Sequence, residues 1–509
     1  MPLCQRGRLP GCLAVVVAVC VLHAAPLSSQ RSDERVRPRT IVTTDPELDD
    51  SNSLVRFLLY AADVETEGLI YASSQFHWRG DGKGTRLSVP NREYNRGGTD
   101  LCPCTSWRWK PGERYIDEAV DIYAEVYPNL RVHDPNYPTP DYLRSKIREG
   151  NVEFDGDTSK DTPGSNLIKD VLLDERGGPV YLQAWGGQST IARALIAIKA
   201  QYGHTPEWPA IRDKVSKKAI IQAFGDQDNT NASYIKPEWP DIEFRQMATA
   251  TWGYGARGVV RPEFAQYLTA EWTREHVSSV GPFGAFYRVW RDGKQMVPGD
   301  VFDYFGLDLP VEELKARGYR VWTPPQPKGS WISEGDTSTF MNLIDNGLRA
   351  HEDPSYGGWG GRNAPDTDAT GASPRDYATA RWFELAQRDF AARLKWTVTP
   401  TFAGANHAPR VSVTSGLNVS AAPGATVRIT ATASDPDKNA LTIRWWQYTD
   451  AGTYPGTVTF SSAESLDTSF VVPADAAAGQ TIHALLQVTD NGSPALTRFQ
   501  RVIVTVAAR

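Results

Sequence analysis

Beyond its first thirty residues the sequence has no apolar run long enough to cross a bilayer, no block of lysine or arginine, and only two cysteines. Each shortage removes a class of function. A spanning helix needs about 20 apolar residues, so no membrane span is expected in the mature chain. Basic residues (54) are outnumbered by acidic ones (60), for a net charge of −6. That balance lacks the positive patch that nucleic-acid polymers require. Of five cysteines, Cys4, Cys12 and Cys20 fall in the leader, leaving Cys102 and Cys104. A disulfide framework is therefore excluded. The Cys-Pro-Cys spacing leaves either loop thiols or a strained local bridge, and no neighbouring His or Cys completes a zinc site.

What is present begins with a leader. Arg6 and Arg8 precede the apolar run Leu13 to Leu22 and the small residues Ala24 and Ala25. This pattern predicts an export signal over residues 1–30 and a secreted or periplasmic protein. The remaining length exceeds what one hydrophobic core fills, so at least two domains are expected. Sixteen tryptophans and twenty tyrosines fill cores for the most part, and they also suit a carbohydrate ligand, because aromatic rings stack on the apolar faces of sugars.

Residues 38–396 alternate strand-like and helical patterns, which predicts an α/β domain with a mostly parallel sheet flanked by helices. Ile41 to Thr43 reads as the first strand and Ser51 to Ala62 as a helix capped by Asp50 or Ser51. A second unit runs from the strand Pro179 to Ala184 through Trp185-Gly186-Gly187 into the helix IARALIAIKA. A further strand is expected over Lys218 to Ala223, and long surface loops over Asn229 to Gly255. Residues 397–409 carry Pro, Gly and Ala without periodicity and read as a linker. Residues 410–509 show short alternating strands with turns such as Asp435-Pro436-Asp437, the pattern of an immunoglobulin-like β-sandwich.

The most specific feature is Thr44-Asp45-Pro46-Glu47-Leu48-Asp49-Asp50, four carboxylates in six residues at the end of a strand. Ligands of open α/β sheets bind at such strand ends. An acidic turn there repels anions and suits a hard divalent ion with oxygen ligands. Helix capping alone accounts for one or two of the carboxylates. It does not account for Asp45, which Pro46 holds extended.

This Asp-Pro-x-x-Asp-Asp turn resembles the calcium motif of inosine/uridine-preferring nucleoside hydrolases. Nearly the whole mature chain resembles secreted bacterial cellulose-binding proteins with a nucleoside-hydrolase-like domain. Trp185-Gly186-Gly187, Glu334-Gly335-Asp336-Thr337, the run Tyr356 to Arg362 and the C-terminal sandwich carry that resemblance. It implies Asp45 and Asp50 as Ca2+ ligands, joined by the backbone of Ser189 and by Asp336. It also implies Asp45 as a general base and Asp49 as the residue that holds a sugar hydroxyl. Two departures stand out: Gly335 occupies the place of a common histidine, and Thr43 that of a frequent aspartate.

Other candidates for contact with substrate are His77 and Trp78 after the second strand, Asn231 in a polar segment, Glu334, and Trp359 with Arg362 among glycines. Trp359 is either a sugar platform or core. Of Trp445 and Trp446 one must point inward and one outward. Two functions are expected: a secreted, calcium-dependent hydrolase of a glycosidic or N-glycosidic bond, or a non-catalytic cellulose- or polysaccharide-binding protein. The partner is accordingly a carbohydrate or a nucleoside-like small molecule.

Overall fold

In the computed structural model, which describes residues 37–95 and 100–508, six strands form a parallel sheet in the order β3-β2-β1-β4-β5-β6. They are β1 (Arg39–Thr44), β2 (Glu65–Tyr71), β3 (Ile147–Glu149), β4 (Val180–Ala184), β5 (Ala219–Ala223) and β6 (Glu243–Gln246). The leader expected over residues 1–30 lies outside the described residues. No helix among them is long and apolar enough to cross a membrane.

The sheet is covered on both sides, which is why β1, β4 and β5 are buried at every position. Neighbouring residues serve opposite faces: Val42 and Tyr181 pack into one core cluster, Ile41, Val180 and Leu182 into the other. Chain order reverses between β1 and β4, whose carboxyl ends lie side by side. The turn after β1 and the turn after β4 therefore face one another across the crevice where α/β proteins hold ligands.

Helix α1 (Leu48–Leu59) starts three residues earlier than the sequence pattern predicts. Its N-cap is Glu47, not Asp50 or Ser51, and no side chain caps it. Asp49 and Asp50 instead occupy the first turn, where the positive end of the helix dipole favours negative charge. The second unit matches the expected pattern, with β4 followed by a helix over Ser189–Tyr202.

The segment Asn229 to Gly255 is not simply loop. It contains the helical turns Asn231–Ile235 and Lys236–Glu238 and the edge strand β6, and buries Trp239, Ile242 and Trp252. Pro237 and Pro240 interrupt its periodicity, which hides a four-residue strand from pattern reading. Cys102 and Cys104 are joined by a disulfide.

The C-terminal part is a seven-stranded sandwich. One sheet has the order β10-β12-β13-β8 and the other β11-β9-β7. The strands are β7 (Arg410–Val413), β8 (Asn418–Ala421), β9 (Thr426–Ser434), β10 (Leu441–Gln447), β11 (Asp467–Val471), β12 (Thr481–Asp490) and β13 (Thr497–Val506). Strand β9 alternates buried and exposed residues, as a strand with one face on a core must. Tyr448, Leu485 and Phe499 of this part join the α/β core beside Trp382. Trp445 points into the sandwich core, and Trp446 packs on Trp382 at 6.2 Å between ring centroids. Neither indole forms an exposed face for polysaccharide.

Candidate functional site

Strand β1 delivers Asp45 to the crevice fully buried, and neither carboxylate oxygen has a hydrogen-bond partner. His77 Nδ1 lies 3.1 Å from Asp45 Oδ1, without the orientation of a hydrogen bond. A Cβ on Gly186, in the turn after β4, would stand 2.6 Å from Asp45 Oδ2. Glycine is needed there for the two turns to approach.

Asp50 is fixed by Thr44 Oγ1, which donates to its Oδ1 at 2.5 Å, and by the Asp45 N–H at 3.2 Å. Asp49 accepts from Tyr254 Oη at 3.4 Å and Ser333 Oγ at 3.3 Å. Asp336, at the N-cap of the helix Thr337–Met341, is buried close enough to Asp50 for the two carboxyl groups to repel one another. Glu47 completes the cluster and keeps 22% of its side chain exposed. Ligand atoms of Asp45, Glu47 and His77 lie within 4.8 Å of one another, as do those of Glu47, Asp49 and Asp50.

Burial raises the carboxyl pKa values of Glu47, Asp50 and Asp336 well above the usual range, and repulsion from neighbouring carboxylates adds to it. Burial pushes Asp49 up to about 6, with Asp45 contributing. The cation beside them, Arg108, is engaged by Asp300 at 2.7 Å and Glu93 at 3.1 Å. An oxygen-rich set of this kind, with buried lone pairs unmet by any donor, fits a hard divalent ion of six to eight ligands.

Over the cluster lies a cavity of about 560 Å³, lined by Glu47, Asp49, Asp50, His77, Asp336 and a wall of aromatic rings. Its volume falls within the roughly 300–1,000 Å³ that houses small ligands. The wall runs from floor to mouth: Tyr254 is hydrogen-bonded to Asp49, stacks on Phe305 at 4.9 Å, and meets Trp322 edge-on at 4.9 Å.

Several residues singled out from sequence do not reach the cavity. Trp78 is fully buried in a cluster with Tyr94 and Trp107. It is bridged to Trp107 by backbone hydrogen bonds, and its neighbour His77 takes the cavity side because successive residues of an extended chain point opposite ways. Trp359 is core, and its carbonyl accepts from Trp252 Nε1 at 3.0 Å. Arg362 turns to Asp366 at 2.7 Å. Glu334 is fully buried against Arg56, Tyr287 and Thr337. The backbone N–H of Asn231 is tied to Asp226, and only Asp226 of that pair lines the cavity. Ser189 opens its helix with its N–H on Asp228 Oδ2 at 2.8 Å and is absent from the lining. Gly335 has a steric reason, since a Cβ there would lie 2.4 Å from Asp49 Oδ2 and displace it.

Sequence reading missed Glu47 as a potential ligand, although it stands within the motif, and missed Tyr254, Arg108 and Trp322. Arg108 adopts a left-handed φ of 47°, a conformation that costs a non-glycine residue energy and often marks a functional surface. No periodicity or motif marks these three.

A parallel sheet with an acidic turn at its switch point, joined to a β-sandwich, defines a protein with a nucleoside-hydrolase-like α/β part. The family model "Cellulose-binding Sde182, nucleoside hydrolase-like domain" matches residues 39–363, and "Cellulose-binding protein Sde0182, C-terminal domain" matches residues 426–506. The chain belongs to this cellulose-binding Sde182 family. It is similar, at 26% identity and TM-score 0.67, to a nucleoside hydrolase-related hypothetical protein from Saccharophagus degradans that is associated with carbohydrate metabolism; the match covers 92% of this chain and 100% of that one. An engineered protein matches at TM-score 0.13 and 10% identity, which carries no argument. Comparison with curated proteins yields no match.

Proposed function

We propose that this is an exported carbohydrate-binding protein, cellulose-directed like the family it belongs to, whose cavity holds a sugar above a divalent cation, Ca2+. The observation that carries this reading is Asp45: both oxygens are buried without a hydrogen bond, beside His77, which lines the cavity together with Glu47, Asp49, Asp50 and Asp336. Asp45, Asp50 and Asp336 would hold the ion, with Glu47 able to join from the rim. When bound, it supplies positive charge and coordination sites for sugar hydroxyls. Asp49, braced by Tyr254 and Ser333, accepts a hydrogen bond from a hydroxyl, and Tyr254 and Phe305 exclude water from the ring. The leader pattern supports export.

Isothermal titration of chelator-stripped protein tests the proposal. Calcium is expected to bind stoichiometrically, and cello-oligosaccharide to bind only afterwards. Asp50→Asn should weaken calcium binding at least tenfold. Wild-type protein that takes up no calcium would overturn the reading.

A second reading, hydrolysis at an anomeric carbon, is favoured by one observation, the 3.1 Å approach of His77 to Asp45. In it the Asp45 carboxylate, oriented by the His77 imidazole, takes a proton from the attacking water, and the leaving group is protonated by a water of the cavity. Glycosides and nucleosides left intact by calcium-loaded wild type would remove this reading and leave the first.

A further inference from the structure

Of sixteen tryptophans, Trp322 alone is exposed, at 55%. It stands in the lining of the acid-floored cavity, not on the sandwich. The ring is held in place. It meets Tyr254 edge-on at 4.9 Å and Phe305 at 5.7 Å. The next residue is clamped at both backbone groups: Tyr304 Oη accepts from the Thr323 N–H at 2.9 Å and donates to the Thr323 carbonyl at 2.8 Å. An indole fixed in this way loses little freedom on binding and offers an apolar ring face.

Large exposed apolar rings are costly to leave in water and mark contact surfaces when they border a cleft. What would cover this one must be flat and apolar on one side and rich in hydroxyls further in, where the floor carries carboxylates. A β-linked pyranose chain has that character, because its equatorial hydroxyls leave the C–H faces of each ring bare. A crystalline cellulose face does not fit, since it needs a coplanar row of exposed rings. Among the described residues Phe402, at 38%, is the one other exposed phenylalanine or tryptophan, and it is stacked on His407 at 3.6 Å.

We infer that Trp322 is a stacking subsite at the cavity mouth, and that the site takes the end of a β-glucan chain or a soluble oligosaccharide, one ring over the acidic floor and the next on Trp322. This rests on the carbohydrate reading of the cavity and specifies its ligand. Trp322 acts by positioning.

The test is titration of cellotetraose and glucose into the calcium-loaded full chain, wild type, Trp322→Ala and Trp322→Phe. Cellotetraose affinity is expected to fall about tenfold or more in Trp322→Ala and to be largely restored in Trp322→Phe. Glucose affinity should be the same in all three, which a general structural defect would not produce. Equal cellotetraose affinity in wild type and Trp322→Ala overturns the subsite and leaves the cation-and-sugar reading standing. Equal losses for glucose and cellotetraose also overturn it, as the ring would then act on the floor. Wild-type protein that binds calcium but neither sugar overturns this inference and the carbohydrate reading together.

Discussion

Buried carboxylates meet opposite fates in two regions of this molecule. At the seam between the α/β part and the sandwich two of them are answered by arginine. Asp389 is flanked by Arg498 at 2.7 Å and Arg393 at 3.0 Å, and Asp366 by Arg362 at 2.7 Å, Arg381 at 3.0 Å and the hydroxyl of Tyr448 at 2.6 Å. Although burial opposes it, the charges of Arg498 and Arg393 hold Asp389 down at about 2. At the cavity floor, Asp45, Asp49, Asp50 and Asp336 face one another without such an answer, and their shifts, where resolved, run upward. The seam carboxylates are neutralised within the chain, whereas those of the floor have no cation of their own and are pushed toward the neutral acid until one arrives.

The widest separation between the regions should appear on neutralising one carboxylate in each. Asp389→Asn takes the carboxylate from half-buried Arg498 and leaves buried Arg393 with Asp63 alone, and breaking a fully buried pair costs about 3–5 kcal/mol, the upper bound here. Asp50→Asn keeps an oxygen for Thr44 Oγ1 and the Asp45 N–H while removing one repelling charge. Calcium-free stability should hold or rise. Urea denaturation in chelator compares the two, and equal destabilisation would abolish the contrast.

A smaller effect follows from pH. The Asp389 carboxyl is lowered from 3.8 to about 2, so its contribution is present above the unfolded value and disappears as pH falls through the folded one. At about 1.4 kcal/mol per unit the shift amounts to about 2 kcal/mol. Wild type and Asp389→Asn, melted from pH 5 to pH 2, should converge toward the acid end. A gap of constant size would show that the carboxylate's charge contributes nothing.

The same contrast explains how far sequence could be read. The acidic turn, β1 and the turn after β4 are contiguous patterns whose chemistry is local, and they were legible together with the sandwich strands. The aromatic wall was not, because Tyr254, Phe305 and Trp322 meet Asp49 only through tertiary packing across more than two hundred residues. Direction was equally hidden. Neither composition nor glycine flanks distinguish Trp359, sealed in the core, from Trp322, open at the mouth. In His77-Trp78 the choice of which residue faces the cavity depends on how the backbone pairs with Trp107. Glu334, next to Gly335 and Asp336, looks like part of the site in sequence, yet it turns the other way to Arg56.

The smallest expected effect concerns Trp446, at the seam. Its ring packs on Trp382 and Tyr448, and its Nε1 donates to Gln487 at 3.2 Å. Partial burial means that Trp446→Ala should cost about 1–2 kcal/mol, less than the roughly 3–5 of a fully buried tryptophan. Cellotetraose affinity should not change, because the indole is spent on joining the two parts, whereas Trp322→Ala should reduce that affinity without lowering stability. If instead Trp446→Ala lowers cellotetraose affinity at unchanged stability, the sandwich contributes a binding face of its own, and the seam is not purely structural.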